Sequence, residues 1–218
     1  KHTKHVTDII GLKPGVETPA AMNGLLVSSG TYFFCDTQIN PNPSVSQLTE
    51  MTMLAVEEVK RFGIKPKVAL LSHSNFGSMD CESANKMRAA YQDIRLRDPS
   101  LEIDGEMSAD AALFEKTRAL LCPNSTLEGA ANLFIMPNIE AANISYHMVR
   151  GFTDSVSIGP LLLGTARPVH VVTPSVSTRG LIKITAVSTV GAQVHAEEAE
   201  QIKKVGDKKI KAKLMQFI

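Results

Sequence analysis

Residues 72–78 (SHSNFGS) bring three serines, an asparagine and a glycine together directly after an apolar run. Backbone N–H groups and small hydroxyls of this kind can bind a phosphate or another anion at the start of a helix. The alternative is a capping loop, with Ser78 or Ser83 near the N-cap. The segment lacks the Gly-Lys-Ser/Thr of a P-loop, so it does not support use of a nucleoside triphosphate.

Three carboxylates follow within seven residues, at Asp104, Glu106 and Asp110. Paired acids can transfer protons or bind a metal ion. The simpler interpretation, which we favour, is that Asp104 or Ser108 caps the next helix while the other acids pair with arginines. The sequence contains no HExxH, GxSxG or GxGxxG motif and no histidines at metal-ligand spacing, so it predicts no metal site.

Composition excludes several classes of protein. Hydrophobic residues make up 44% of the chain and charged residues 21%, values that exclude a disordered chain, a coiled coil and a disulfide miniprotein. No apolar run approaches the roughly 20 residues of a membrane span. The absence of Trp, with only three Tyr, argues against stacking on nucleic acid. Three widely separated cysteines without a CxxC pair indicate reduced thiols and a cytoplasmic protein.

Charge is unevenly distributed along the chain, although 23 basic residues nearly balance 22 acidic ones. Six lysines lie between Lys203 and Lys213, where Asp207 is the one acid. A basic segment of this kind can bind phosphates or nucleic acid. The alternative, which we favour, is the solvated end of a terminal helix.

Hydrophobic patterning alternates between strands and helices. Apolar runs such as residues 68–71 are typical of strands covered on both faces. Strands are predicted at residues 25–27, 31–34, 68–71, 101–103, 133–136 and 169–172, helices at 46–61, 83–95, 109–120, 138–150 and 178–189, and a rigid apolar turn at 159–164. This alternation predicts an α/β protein with three α/β/α layers and a mostly parallel sheet.

Ligands of parallel α/β sheets bind at the carboxyl ends of the strands. That rule selects the loops at residues 72–78, 104–110, 137–143 and 173–180. In the third of these loops, Asn138 can cap the helix that follows. Asn143 and Tyr146 are three residues apart, so they can share a face of that helix.

Four strings carry a resemblance to a known family: residues 68–78 (VALLSHSNFGS), 104–112 (DGEMSADAA), 129–146 (GAANLFIMPNIEAANISY) and 159–164 (GPLLLG). In this order they resemble the phosphate acetyl/butyryltransferase family. Within it, they are most similar to the phosphotransacetylase-like C-terminal regions of hybrid NADP-dependent malic enzymes. The resemblance extends over about residues 10 to 190.

The resemblance implies a two-lobe fold with a cleft, similar to isocitrate dehydrogenase. Residues 10–163 would form the middle lobe, and residues 164–218 would contribute to a second, partly truncated lobe and a basic tail. The parent polypeptide would be an oxidoreductase that converts malate to pyruvate and CO2 with NADP and Mg or Mn. Its N-terminal malic enzyme domains would hold those groups.

Departures from the family pattern bear on activity. Active transacetylases carry a Ser-Arg pair, and the resemblance implies that Thr173 and Pro174 occupy these positions here. They also carry an aspartate that acts as a base toward the CoA thiol, and its position is occupied by Gly180. Thiol attack on an acyl phosphate needs a proton acceptor and a cation for the developing phosphate charge. Proline and glycine supply neither, and Arg179 could replace only the charge. The chain itself is therefore expected to have no catalytic residue.

The resemblance predicts a regulatory and oligomerisation domain that binds acetyl-CoA as an allosteric effector in a homo-oligomer. Two alternatives stay open: an active phosphate acetyltransferase, which makes acetyl phosphate and CoA, and an assembly module without a ligand. The predicted effector-binding residues are Ser74, Asn75, Gly77, Ser78, Asn143, Tyr146, Thr173, Ser175 and Arg179.

Overall fold

A computed structural model describes residues 2–174 and 176–214. Helices and strands alternate along most of this length, as the hydrophobic pattern predicts. In chain order the elements are α1 (His2–Ile9), β1 (Ala20–Val27), β2 (Gly30–Cys35), α2 (Val45–Arg61), β3 (Val68–Leu71), α3 (Glu82–Arg97), β4 (Ile103–Met107), α4 (Ala109–Leu113), α5 (Glu115–Leu121), β5 (Leu133–Ile135), α6 (Ile139–Phe152), β6 (Val156–Leu163) and α7 (Thr178–Leu214).

The described strands form one six-stranded sheet in the order β4-β3-β5-β2-β1-β6. Strands β4, β3, β5 and β2 run parallel, whereas β1 is antiparallel to both β2 and β6. The sheet is therefore mixed, with its parallel part at one side and β6 at the opposite edge. The predicted α/β class and the mostly parallel sheet are confirmed.

Helices cover both faces of the sheet because strand side chains alternate between the faces. Val68 and Leu70 of β3 pack in one cluster with α2 and α3, which Ile184 of α7 also joins. Ala69 and Leu71 pack in a second cluster with α4 and α6. Three α/β/α layers result. The predicted division of the chain at residue 163 stays a prediction.

Local signals set the start of two long helices. Ser44 caps α2 through a capping box, in which its Oγ accepts from the Gln47 backbone N–H and the Gln47 side chain accepts in return. Asn138 caps α6, as predicted, because its Oδ1 accepts from the Ala141 N–H at 2.9 Å. The start of α6 in turn fixes where the side chains of its later turns lie.

The prediction for residues 101–110 was wrong. Strand β4 begins at Ile103 and continues to Met107, so Asp104 and Glu106 lie in a buried strand and not in a loop. Their carboxylates can be buried because distant groups donate to them, including the Thr126 N–H for Asp104 and Arg88 for Glu106. These partners are separated from the strand in sequence, so no local pattern reveals them.

Three further element predictions also need correction. The helix predicted over residues 109–120 is broken at Phe114 into α4 and α5. The turn predicted at residues 159–164 belongs almost entirely to β6, which pairs with β1. The strand predicted at residues 169–172 is irregular, and there the His170 Nδ1 accepts the Leu162 N–H of β6 at 3.1 Å. The Leu162 N–H therefore donates to a side chain and not to the backbone of a neighbouring strand.

Within the described part of the chain, no helix has the length and apolarity to cross a membrane.

Candidate functional site

A polar cleft of about 420 Å³ lies where the β6 edge of the sheet meets α6 and the start of α7. The α6 contribution comes from three neighbouring positions on one side of the helix. Most of the other lining residues come from β6 and from the chain between residues 172 and 183. The lining consists of Asn23, Gln38, Tyr146, His147, Arg150, Ser157, Gly159, Pro160, Val172, Thr173, Val176, Ser177, Gly180 and Lys183.

Tyr146 is the most buried of the α6 residues in the cleft, with 5% of its surface exposed. Its ring lies 5.9 Å from the Phe34 ring and 5.0 Å from the His147 ring, both in edge-on arrangements. Burial raises the pKa of Tyr146, while the Arg150 charge and hydrogen bonding with Ser157 and Arg150 work in the opposite direction. The phenol is therefore held protonated and can donate a hydrogen bond at neutral pH.

The floor of the cleft depends on a buried asparagine of β1. The Asn23 Nδ2 donates to the Thr37 Oγ1 at 2.6 Å, and the Asn143 Nδ2 donates to the Thr37 carbonyl at 3.4 Å. Gly159 packs against this asparagine with a φ of +116°, and an added Cβ would lie 2.8 Å from the Asn23 Oδ1. Glycine is therefore required at position 159.

The structure brings together only some of the predicted effector residues. Tyr146 and Thr173 line the cleft, as does Gly180, whose N–H donates to the Ser177 Oγ at 3.1 Å. Asn143 does not line the cleft, but it binds the Thr37 carbonyl, next to the lining residue Gln38. Arg179 is exposed on the first turn of α7 and is absent from the lining. The predicted residue Ser175 lies outside the described residues.

The other four predicted residues form a separate cluster after β3. Strands β5 and β2 lie between β3 and β1, whose Asn23 lies in the floor of the cleft. The Ser74 Oγ donates to the Glu106 Oε1 at 2.8 Å, and the Gly77 N–H donates to the same oxygen at 2.9 Å. Arg88 completes the cluster through its Nη2, 2.9 Å from that oxygen, and its Nε, 3.1 Å from the Oε2. The hydroxyl and glycine N–H that could bind an anion are thus already bound to a carboxylate.

Glu106 is fully buried yet remains a good acceptor. Burial by itself would raise its pKa, but hydrogen bonds from Arg88, the Gly77 N–H and Ser74 outweigh burial and lower the pKa below its ordinary value. Asn75 and Ser78 are bound within the same region: the Ser108 N–H donates to the Asn75 Oδ1 at 2.8 Å, and the Asn75 N–H donates to the Ser78 Oγ at 2.9 Å. The loop therefore has a structural role, but not the predicted capping role, because the N-cap residue of α3 is Cys81 and its side chain makes no capping bond.

The simpler interpretation is confirmed for only one of the three carboxylates. Glu106 pairs with Arg88, whereas Asp104 accepts backbone N–H groups of Gly105 and Thr126 and Asp110 accepts a hydrogen bond from Ser108. Ser108 is the N-cap residue of α4, but its side chain makes no capping bond. Among the residues that the structure describes, no three His, Cys, Asp or Glu side chains come together as metal ligands.

Sequence reasoning missed several cleft residues. Arg150 and His147 were not singled out, although residues 143, 146, 147 and 150 follow the i, i+3, i+4, i+7 spacing of one helix face. That spacing is the local signal that could have found them. Asn23 and Lys183 carry no such signal, because only the packing of β1 and α7 brings them to the cleft.

Comparison with known proteins gives a consistent result. Residues 1–189 match the model of the phosphate acetyl/butaryl transferase family. Over 194 residues the chain is 50% identical to the NADP-dependent malic enzyme of Escherichia coli (strain K12), and over 190 residues it is 46% identical to the NAD-dependent malic enzyme of Rhizobium meliloti (strain 1021). These matches cover 88% and 87% of this chain.

Among solved structures, a phosphotransacetylase from Streptococcus pyogenes is similar, with a TM-score of 0.82 and 30% identity over 89% of this chain and 59% of that one. The chain spans about a quarter of the malic enzymes, at 26% and 25% of their length. The family match, the layered fold and the order of the quoted strings agree. The chain therefore belongs to the phosphate acetyl/butaryl transferase family.

Proposed function

We propose that the chain is the phosphotransacetylase-like regulatory domain of a malic enzyme and binds acetyl-CoA as an allosteric effector in the cleft beside β6. The similarity to malic enzymes over 88% of the chain supports the parent, which would convert malate to pyruvate and CO2. The observation that carries the regulatory role is that Thr173 and Gly180 line the cleft where the family resemblance implies reacting groups.

The absence of acyl transfer follows from the chemistry at these positions. A thiol that attacks an acyl phosphate must lose a proton, and the phosphate must gain stabilisation of its charge. Gly180 has no side chain to accept the proton, and Pro174 has none to bind the phosphate. The thioester would be recognised in the cleft but not cleaved.

NADP and a divalent metal would act in the parent polypeptide, outside this chain. The described residues contain no group of three metal-ligating side chains, and the matched segment is 26% of the length of the NADP-dependent malic enzyme of Escherichia coli. One relative is named for NADP and another for NAD, so the NADP of the parent is itself part of the proposal. Cytoplasmic location is proposed with it.

Homo-oligomer formation is the assembly part of the proposal. Large apolar side chains stand exposed on one side of α6 and at the α4–α5 junction: Phe152 is 82% exposed, Phe114 60% and Met148 53%. Neighbouring exposed apolar side chains can mark association sites. Light scattering coupled to size-exclusion chromatography would detect the oligomer, and a monomer at all concentrations would contradict this part.

Isothermal titration calorimetry of the protein with acetyl-CoA tests the proposed effector, together with an assay of CoA release in the presence of phosphate. We expect saturable binding and no phosphate-dependent CoA release. Absence of binding would refute the effector role and favour the assembly module. Phosphate-dependent CoA release would refute the loss of acyl transfer.

An active acyltransferase remains the second candidate because His147 lines the cleft. An imidazole is the side chain most often used as a general base near neutral pH. If the protein does release CoA, His147→Gln should abolish that reaction while acetyl-CoA binding persists.

A further inference from the structure

The lining of the cleft has a strong charge bias. Arg150 from α6 and Lys183 from α7 both line it, together with His147, and no Asp or Glu of the described chain does. Neither cation forms an ion pair with a described carboxylate. By contrast, Arg88 is bound to Glu106, and Arg61 to Glu57 and Glu58.

A series of contacts through Tyr146 and Ser157 connects the two cations. The Lys183 Nζ donates to the Ser157 carbonyl at 3.4 Å, a long bond that leaves its other protons for a ligand. Tyr146 interacts with both Ser157 and Arg150. Ser157 and Tyr146 therefore lie between the guanidinium on one helix and the ammonium on the other.

From this arrangement we infer that Arg150 and Lys183 form an anion subsite, which binds a phosphate group of the ligand in the cleft. The inference rests on the proposed function in so far as acetyl-CoA is that ligand. A guanidinium can bind two phosphate oxygens with parallel hydrogen bonds, and an ammonium adds a mobile point charge. The subsite replaces Arg179 as the source of positive charge, because Arg179 is absent from the lining.

Acetyl-CoA offers the subsite two kinds of phosphate, the diphosphate of its bridge and the 3′-phosphate of its ribose. Both present the same chemistry to a guanidinium and an ammonium. Binding of 3′-dephospho-CoA distinguishes them. If the 3′-phosphate is bound, 3′-dephospho-CoA binds wild type more weakly than CoA does, and Arg150→Gln abolishes the difference. If the diphosphate is bound, the two ligands bind wild type alike and both lose affinity in the variant.

Calorimetry with acetyl-CoA on Arg150→Gln and Lys183→Gln tests the subsite itself. Each variant is expected to bind about tenfold more weakly than wild type, the usual loss for one hydrogen-bonded charge. Arg97→Gln and Lys116→Gln make the same change in net charge at exposed positions on α3 and α5, and they should bind like wild type. Unfolding monitored by circular dichroism confirms that each variant is folded. Equal affinity in all five proteins, or equal losses in the control variants, would overturn the subsite while leaving the proposed effector intact.

A probe that does not depend on acetyl-CoA separates failure of the subsite from failure of the proposed function. Inorganic pyrophosphate should raise the Tm of wild type and of both control variants in a saturable way, since a ligand that binds only the native state stabilises it. The Arg150→Gln and Lys183→Gln variants should lose this stabilisation. This pattern without acetyl-CoA binding would support the subsite and refute the effector. The same stabilisation in all five proteins, or none in wild type, would overturn the subsite.

Discussion

Arg118 makes the sharpest prediction about stability. Its side chain is 1% exposed and has no carboxylate partner among the described residues. Its guanidinium donates instead to the carbonyls of Ala111 at 2.9 Å, Leu127 at 2.8 Å and Gly129 at 2.6 Å. It therefore joins the end of α4 to the loop that leads into β5. The perturbation is Arg118→Met, which keeps most of the apolar stem and removes the donors.

The magnitude follows from two opposing terms. Three hydrogen bonds from a charged donor contribute about 1.5–3 kcal/mol each, roughly 4–9 kcal/mol together. Removal of the charge also removes the free-energy penalty of burying it, several kcal/mol, and this effect stabilises the variant. Because the Ala111 and Leu127 carbonyls would remain buried without this donor, we expect a net loss of about 3 kcal/mol in the free energy of unfolding. For a chain of this size the Tm would fall by about 6–12 °C.

Urea unfolding followed by circular dichroism measures this loss, with Arg97→Met as the matched control. Arg97 lies on α3 with its side chain 51% exposed and pairs with Asp93 one turn earlier, so its removal should cost less than about 1 kcal/mol. If Arg118→Met proves as stable as wild type, or more so, the burial cost of the guanidinium exceeds the value of its bonds. That result would refute the reasoning.

Two further perturbations address the cleft. Gly159→Ala should destabilise the protein by about 2–4 kcal/mol and weaken acetyl-CoA binding, because its Cβ would meet the Asn23 Oδ1 at 2.8 Å and the Met22 carbonyl at 2.9 Å at a φ of +116°. Gly151→Ala, a helical position with open space around it, should be neutral or slightly stabilising in the same unfolding experiment, and equal effects would contradict the clash. Burial lowers the pKa of His170, so the folded state favours the neutral ring and stability should fall as the pH drops below about 6.5, the value for an unfolded histidine. His170→Asn, which keeps an acceptor for the Leu162 N–H, should lose less stability between pH 8 and pH 5.5, and superimposable pH profiles would contradict this.

Local patterns in the sequence were sufficient for most of the fold. The apolar run at residues 68–71 and the cap at Asn138 set their elements because the causes lie within a few residues. The bounds of β4 were mispredicted because the groups that donate hydrogen bonds to Asp104 and Glu106 come from other parts of the chain. Residues 169–172 were mispredicted because an apolar run alone does not reveal that His170 already occupies the edge of β6.

The sequence by itself determined the family and the alternation of layers, since the quoted strings and the hydrophobic pattern can be read in order along the chain. Only the tertiary structure decided which polar and charged groups are available to bind a ligand. Ser74 and Gly77 looked suited to an anion, but a buried carboxylate distant in sequence occupies them. Arg150 and Lys183 are 33 positions apart, and no spacing rule links them. They face one cleft because tertiary packing brings α6 and the start of α7 to its border, and no local sequence pattern encodes this arrangement.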